Sequence, residues 1–331
     1  MELSLYHPQQ GYFLGERLRS VQSGDFLTSP EVSPLFGETL AESVRREVAE
    51  CAVSRPIAVD VGAGSGSLLK SLVAALAGQV EPWAVEVSPP AQRAVGEVVG
   101  ARRVVSDLGG LPERIRGVIF ANELLDNLPM ALARRRGEEW REMWVGAGNG
   151  KLMWVEVPAR PEVEDWVDRF SGPTADGGMV EVQIRACEWA RDALARLECG
   201  ALVVIDYGDT AHGLEDRRAD GTLRTYRAHH LGPPPLAEPG QTDITADVNF
   251  TAVMEAAREA GASVSLQRQD EFLEELGLRE RIEELRREEM QLARSGDEWR
   301  RMQVRSLRTG GETLLHPRGL GGFQVLTARK C

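Results

Sequence analysis

The stretch Ile57-Ala58-Val59-Asp60-Val61-Gly62-Ala63-Gly64-Ser65-Gly66-Ser67-Leu68-Leu69 decides the fold. Its first five residues are apolar and largely β-branched, apart from Asp60, which reads as a short buried strand. A glycine-rich turn follows, and Ser67 to Ala77 then carries Leu68, Leu69, Leu72, Val73 and Leu76 at helical spacing. A strand that runs through glycines into a helix N-terminus is a nucleotide-type site, because backbone N–H groups there face the ligand. The spacing is not that of a dinucleotide fingerprint, since the third glycine comes one residue after the second instead of two. Asp60, just before the turn, suits a ligand with a cationic amino group and offers little to a pyrophosphate. Gly62, Ala63, Gly64 and Gly66 are the expected backbone contacts.

Working outward, Pro82 to Val87 reads as a second strand with Glu86 and Val87 at its tip, twenty residues after Gly66. A carboxylate at that place accepts ribose hydroxyls in Rossmann-type folds. A helix from Pro89, a strand around Arg103–Ser106 and a strand at Gly117–Ala121 continue the alternation, with Asp107-Leu108 after the third strand, where an adenine amino group would be read. Alternating strands and helices of this length predict a parallel sheet covered on both faces. Acids at three successive strand tips read as binding of S-adenosyl-L-methionine (SAM), released after reaction as S-adenosyl-L-homocysteine. The bland alternative is a glycine turn that serves only strand–helix packing.

Upstream, Leu35 to Ala49 reads as a helix. Downstream, Glu139–Val145 and Lys151–Val157 suggest a hairpin around Gly146–Gly150, and Val180–Leu197 a long helix. Gly200–Ile205 is the most apolar strand, 208–246 is expected to be mostly loop, and Asp247–Ala260 a helix. A strand at Ala262–Gln267, a charged helical stretch from Glu271 to Ser306 and a closing strand at Gly322–Ala328 finish the chain. The predicted class is α/β, a Rossmann-like, mostly parallel sheet with helices on both faces.

Composition narrows the function. The 331 residues carry a net charge of -12, which disfavours nucleic acid and anionic membrane as partners and suits a cationic one. No apolar run approaches the ~18 residues of a membrane span. Cys51, Cys187, Cys199 and Cys331 form no CxxC pair, and the five histidines show no zinc spacing, so neither a metal nor a disulfide framework is expected. There is no nucleophile elbow and no phosphate loop of the GxxxxGK type. Lys70, Lys151 and Lys330 are the only lysines, so nearly all positive charge is arginine.

After the fourth strand stands Asn122-Glu123-Leu-Leu-Asp126-Asn-Leu-Pro129. In an open α/β sheet this strand tip faces the ligand crevice. Two carboxylates three apart can share one face of a helical turn and clamp a guanidinium through its forked donors. Asn122 could fix the cofactor or the acceptor nitrogen. A helix cap with acids at the positive dipole end is the structural alternative.

At this point several segments resemble one family. They are Leu5-Tyr-His-Pro with Gly11-Tyr-Phe, Gly24-Asp-Phe-Leu-Thr-Ser-Pro-Glu31 with Phe36-Gly37, the Asp60–Gly66 turn, Asn122–Pro129, Asp206-Tyr-Gly208, Gly221-Thr-Leu-Arg-Thr-Tyr-Arg227 and Gly240–Phe250. Together they are similar to the MidA family of class I SAM-dependent methyltransferases, which includes the mitochondrial arginine methyltransferase acting in respiratory complex I assembly. The resemblance implies a seven-stranded methyltransferase core with family-specific additions. It also implies a protein acceptor, an arginine on a subunit of NADH:quinone oxidoreductase.

The site expected on this basis has Glu123, Asp126 and Asn122 as catalytic residues. Thr28 and Ser29 approach the methionine end of SAM, and Asp25, Tyr207, Arg224, Tyr226 and His229 line the acceptor side. Residues 1–50 are expected to form a cofactor-covering segment and helix, and 51–331 the core, with substrate-side insertions at about 132–180 and 206–250. No mitochondrial presequence is readable, so a bacterial cytoplasmic enzyme is expected, and the mitochondrial matrix only for a chain with a presequence ahead of Met1. A homodimer is left open. The rival readings are a small-molecule methyltransferase, a non-catalytic SAM-binding assembly factor and, with the other glycine spacing, an NAD(P) dehydrogenase.

Overall fold

The computed structural model describes residues 1–15, 28–49, 51, 53–227 and 230–330. Packing divides the chain into two units. The sheet unit comprises Glu16–Asn122, Ala195–Ile205 and Ser263–Cys331; the second unit comprises Met1–Gly15, Glu123–Leu194 and Asp206–Ala262.

The sheet unit is built on seven strands: β1 (Ile57–Val61), β2 (Glu81–Val85), β3 (Val104–Val105), β4 (Ile115–Asn122), β5 (Leu197–Asp206), β6 (Ser263–Arg268) and β7 (Gln324–Lys330), in the order β6-β7-β5-β4-β1-β2-β3. β1 pairs in parallel with β2 and β4, β2 with β3, and β4 with β5; β6 and β7 are antiparallel. Successive strand residues point to opposite faces, and both sets are buried here. Ala58, Val118, Phe120, Ala201 and Val203 lie in one core cluster, while Val59, Ile119, Leu202 and Val204 are equally inaccessible. Two covered faces explain the continuous apolar runs seen in the sequence.

The helix Leu35–Ala49 packs Leu35, Phe36, Leu40 and Val44 against Leu68, Leu72 and Leu76 of the helix Ser67–Leu76. Gly37 allows the close approach, since a Cβ there would stand 2.8 Å from the Leu68 carbonyl oxygen. The charged stretch near the C-terminus is not one helix. It breaks into Gln269–Glu275, Leu278–Ser295 and Glu298–Leu314, with Gly277 and Gly296 in left-handed conformation at the breaks. Ile282, Leu285, Val304 and Leu314 form their inner face, and ion pairs such as Arg300–Glu288 lie outside.

In the second unit four antiparallel strands run in the order Lys151–Pro158, Glu139–Gly148, Ala131–Arg136, Met179–Val182. The hairpin turn is tighter than the expected 146–150. Gly148 pairs with Lys151, leaving Asn149 and Gly150, both at positive φ, as the whole turn, as the strand twist favours. The expected long helix over Val180–Leu197 is corrected: Met179–Val182 is a strand paired with Ala131–Arg134, and the helix is Ile184–Arg196. Alternating Val180 and Val182 pack on the sheet, where β-branched residues fit best. The 208–246 stretch holds short strands, Arg224–Arg227 between His230–Leu231 and Asp243–Thr245, that are too brief for a periodic signal. Helices Pro161–Phe170, Ile184–Arg196 and Phe250–Glu259 contribute Val163, Trp166, Cys187 and Ala252 to this unit's core. Residues 1–15 pack here as well: Leu5 and Tyr12 are buried, and the Tyr6 hydroxyl donates to the Asn127 carbonyl at 3.3 Å.

Candidate functional site

In the sheet unit, β1 ends in three glycines held at φ of 73° (Gly62), 52° (Gly64) and 82° (Gly66), a region only glycine enters cheaply. The amides of Gly62 and Ala63 donate to the Val85 carbonyl, which folds the turn over the tip of β2. Glu86, just past β2, is buried and grips the same turn. Its Oε2 accepts from the Gly64 amide and its Oε1 from the Ser88 amide, each at 2.8 Å. Burial pushes the Glu86 carboxyl up, while these amides hold it down. Asp60 is buried beside it. Burial first, and the Glu86 charge second, push Asp60 up to about 8.

Two adjacent buried acids, one with its proton retained near neutrality, favour a ligand that brings positive charge. The sulfonium and ammonium of SAM supply that charge, so these residues fit SAM: Asp60 would face the amino acid end and Glu86 the ribose. Other expected contacts fall around them. Ala63 is buried, Val87 is exposed, and Asn122 is half-buried at the end of β4. Asp107 is exposed and caps the 3₁₀ turn Leu108–Gly110 by accepting from the Gly109 amide at 2.7 Å, and Leu108 is half-buried.

The helix Ser29–Val32 follows Thr28 as its N-cap. Ser29 is fully buried, and its hydroxyl donates to Gln269 at 3.4 Å. The side chain of this helix that reaches the glycine turn is Glu31, which accepts from the hydroxyls of Ser65 and Ser67. Sequence reasoning missed it. Asp25 lies outside the described residues.

In the second unit the acidic motif takes an unexpected form. Glu123 has φ 51°, a left-handed position that costs a side-chain-bearing residue about 1–2 kcal/mol. The helical turn begins only after it, as the 3₁₀ turn Leu125–Asn127. Glu123 and Asp126 are therefore not two positions on one helical face. Asp126 is buried, and its Oδ2 accepts from the Thr245 hydroxyl at 2.6 Å and from the Tyr207 hydroxyl. Its Oδ1 has no hydrogen-bond partner among the described residues.

Asp206, fully buried, holds the turn in place by accepting from the amides of Leu125 (2.9 Å), Asp126 (3.3 Å) and Tyr207 (2.9 Å). Burial, then the charges of Asp126 and Glu123, raise Asp206 well above the usual carboxylate range. Asp126 is raised by burial too, and the hydroxyls and Arg224 oppose the shift. Arg224 lies over the Tyr207 ring (4.8 Å) and the Tyr226 ring (5.8 Å) and donates to Asp247 at 2.6 Å. Asn127 donates to Asp243 at 2.9 Å. Asp206, Thr245 and Asp247 were given no role from sequence, although they stand in the Asp206–Gly208 and Gly240–Phe250 segments that carry the family resemblance. His229 lies outside the described residues. Among the described residues no cluster of His, Cys, Asp or Glu could hold a metal ion.

The profile of a family of S-adenosyl-L-methionine-dependent methyltransferases matches residues 39–267. A COG1565 superfamily member from Burkholderia thailandensis, solved bound to S-adenosyl-homocysteine, is 30% identical with a TM-score of 0.85, over 99% of this chain and 86% of that one. The human protein arginine methyltransferase NDUFAF7, mitochondrial, is 27% identical over 97% of this chain and 76% of its own length. The zebrafish (Danio rerio) protein of the same name is 27% identical over 86% and 74%. A profile match over more than half of the sequence, and a 30% identical relative covered almost end to end, show that the chain belongs to the MidA family of class I SAM-dependent methyltransferases.

Proposed function

We propose that the chain methylates an arginine side-chain nitrogen of a protein, and that the protein is a subunit of a respiratory NADH:quinone oxidoreductase. One observation carries the arginine reading. The segment from Glu123 to Asp126, together with Asp206, gathers three carboxylates, and burial raises Asp126 and Asp206 above their ordinary range. In the same unit the guanidinium of Arg224 lies over the Tyr207 and Tyr226 rings and donates to Asp247, an arrangement of the kind an acceptor arginine would need. The names of the human and zebrafish relatives support the same acceptor.

SAM supplies an already activated methyl group on a sulfonium, so no residue has to activate the donor. Asp60 and Glu86 bind and orient it. Glu123, on a backbone fixed by the turn that Asp206 holds, accepts an N–H of the acceptor guanidinium. It thereby draws positive charge away from the attacking nitrogen. A nitrogen–carbon bond forms as the sulfur–carbon bond breaks, and one N–H proton leaves through Glu123 to solvent. Asp126, tied to Tyr207 and Thr245, forms the wall behind it. The acidic balance of the chain steers a cationic acceptor toward it.

The test is incubation with methyl-labelled SAM and a bacterial lysate, followed by identification of the labelled residue. Label on a protein arginine supports the reading; label confined to small molecules or to other residue types overturns it. Glu123→Gln is expected to lower methylation by about a hundredfold or more, because misplacement alone costs that much. SAM affinity should stay within about threefold, less than 1 kcal/mol.

A further inference from the structure

In phosphate-binding α/β folds, a glycine turn and the helix behind it gather an anion, because the first-turn amides and the helix dipole point at the ligand. The helix Ser67–Leu76 has the same opening, with Gly66 as its N-cap, no side-chain cap and no acidic residue in its first turn. An anion is nonetheless present, delivered from another element. Glu31 Oε1 accepts from Ser65 Oγ at 2.5 Å and from Ser67 Oγ at 2.8 Å, and these two hydroxyls also lie 2.8 Å apart.

The helix that carries Glu31 is firmly seated. Ser29 is fully buried and bonded to Gln269, and a Cβ on Gly310 would stand 2.9 Å from Ser33 and 3.2 Å from the Val32 carbonyl oxygen. With Asp60 and Glu86, three carboxylates from three separate elements surround one turn. Only the first two were expected from the strand tips.

We propose that Glu31 is a specificity-determining residue: its carboxylate occupies the anion position of the glycine turn, so the site admits a cationic adenosyl ligand and turns away phosphate-bearing adenosine nucleotides. The glycine spacing alone does not achieve this, since backbone amides favour a phosphate whatever the spacing. A negative charge fixed on the Ser65 and Ser67 hydroxyls, beside those amides, repels a phosphate and attracts an ammonium or sulfonium. Ser65 and Ser67 hold that charge in place instead of donating to a ligand.

The test is calorimetry of the full chain with S-adenosyl-homocysteine and with ADP, which share adenosine and differ in the charge of the tail. The wild type should bind the first and not measurably the second. Glu31→Gln keeps size and hydrogen-bonding capacity but removes the charge. It should gain ADP binding and weaken S-adenosyl-homocysteine, shifting their ratio by about tenfold or more, as for loss of one close charge contact. Glu31→Asp, with the charge kept, should restore most of the discrimination.

An unchanged ratio in Glu31→Gln would overturn the proposal and leave Glu31 as a structural tie between helix and turn. Should Glu31→Gln melt before it can be titrated, the wild type decides in its place. Raising salt from low to molar screens the repulsion and should bring ADP binding up, and ADP binding that stays absent or falls overturns the proposal. Loss of S-adenosyl-homocysteine binding by the wild type itself would instead contradict the cofactor assignment.

Discussion

Asp60 and Glu86 in the sheet unit, and Asp126 and Asp206 in the second unit, are two buried pairs of acids built to one plan. In each pair one carboxylate grips backbone amides: Glu86 takes those of Gly64 and Ser88, and Asp206 those of Leu125, Asp126 and Tyr207. The other carboxylate is kept close by and is raised by burial. The pairs differ in what already faces the second acid. Asp126 has two hydroxyls and the charge of Arg224, whereas Asp60 is pushed further by Glu86. The first pair has no such cation of the protein's own among the causes that shift Asp60 and fits a ligand that brings positive charge. The second already faces two hydroxyls and the charge of a guanidinium within the protein.

The largest expected effect breaks the amide-gripping half of the plan. Asp206→Ala strips three buried amides of their acceptor and should cost on the order of 3 kcal/mol or more in denaturant unfolding, at ~1–3 kcal/mol per orphaned group. Asp206→Asn keeps one carbonyl oxygen for the Leu125 and Asp126 amides but turns an NH2 toward the Tyr207 amide, so it should cost less, about 1–2 kcal/mol. Equal losses in both variants would mean that the charge of Asp206, and not its acceptor oxygens, holds the turn.

Next comes Glu86→Ala. It should weaken S-adenosyl-homocysteine by about 1.5–3 kcal/mol, the range for hydrogen bonds to a charged group. Unchanged affinity in calorimetry would show that Glu86 only shapes the turn. Asp60 adds a pH dependence to the first pair. Asp60 titrates near 8 when folded, against an ordinary 3.8. Between those values the folded chain holds a proton that the unfolded chain has released, so stability without ligand should fall as pH rises through that window. Ligand affinity should move the other way, tightening by up to about tenfold per pH unit from 6 toward 8, as the carboxylate a cation needs becomes available. A flat affinity profile would remove Asp60 from the ammonium end.

The sequence carries these two pairs unequally. Asp60, Gly62, Gly64, Gly66 and Glu86 are legible because local chain geometry alone brings a strand tip, a turn and the next strand tip together. Asp206 and Thr245 come to Asp126 from about 80 and 119 residues away, and no local periodicity reports such a contact. Glu31 was hidden for the same reason, 34 residues ahead of Ser65. The sheet itself was readable from its apolar runs. The strand Met179–Val182 was not, because four residues next to a helix share its apolar character until pairing with Ala131–Arg134 decides between them.

The strand order carries a consequence for biosynthesis. β7, which follows the other six strands in sequence, fills the place between β5 and β6, so the seven-stranded sheet is unfinished until residues 324–330 have emerged. Every segment of the second unit, by contrast, has been synthesised by Ala262. At about 5–20 residues per second, a nascent chain spends several seconds with the apolar edge of Ala201–Ile205 unpaired, the kind of edge that recruits other chains. The edge of Ala201–Ile205 thus stays open to other chains while the helices from Gln269 to Leu314 are being made.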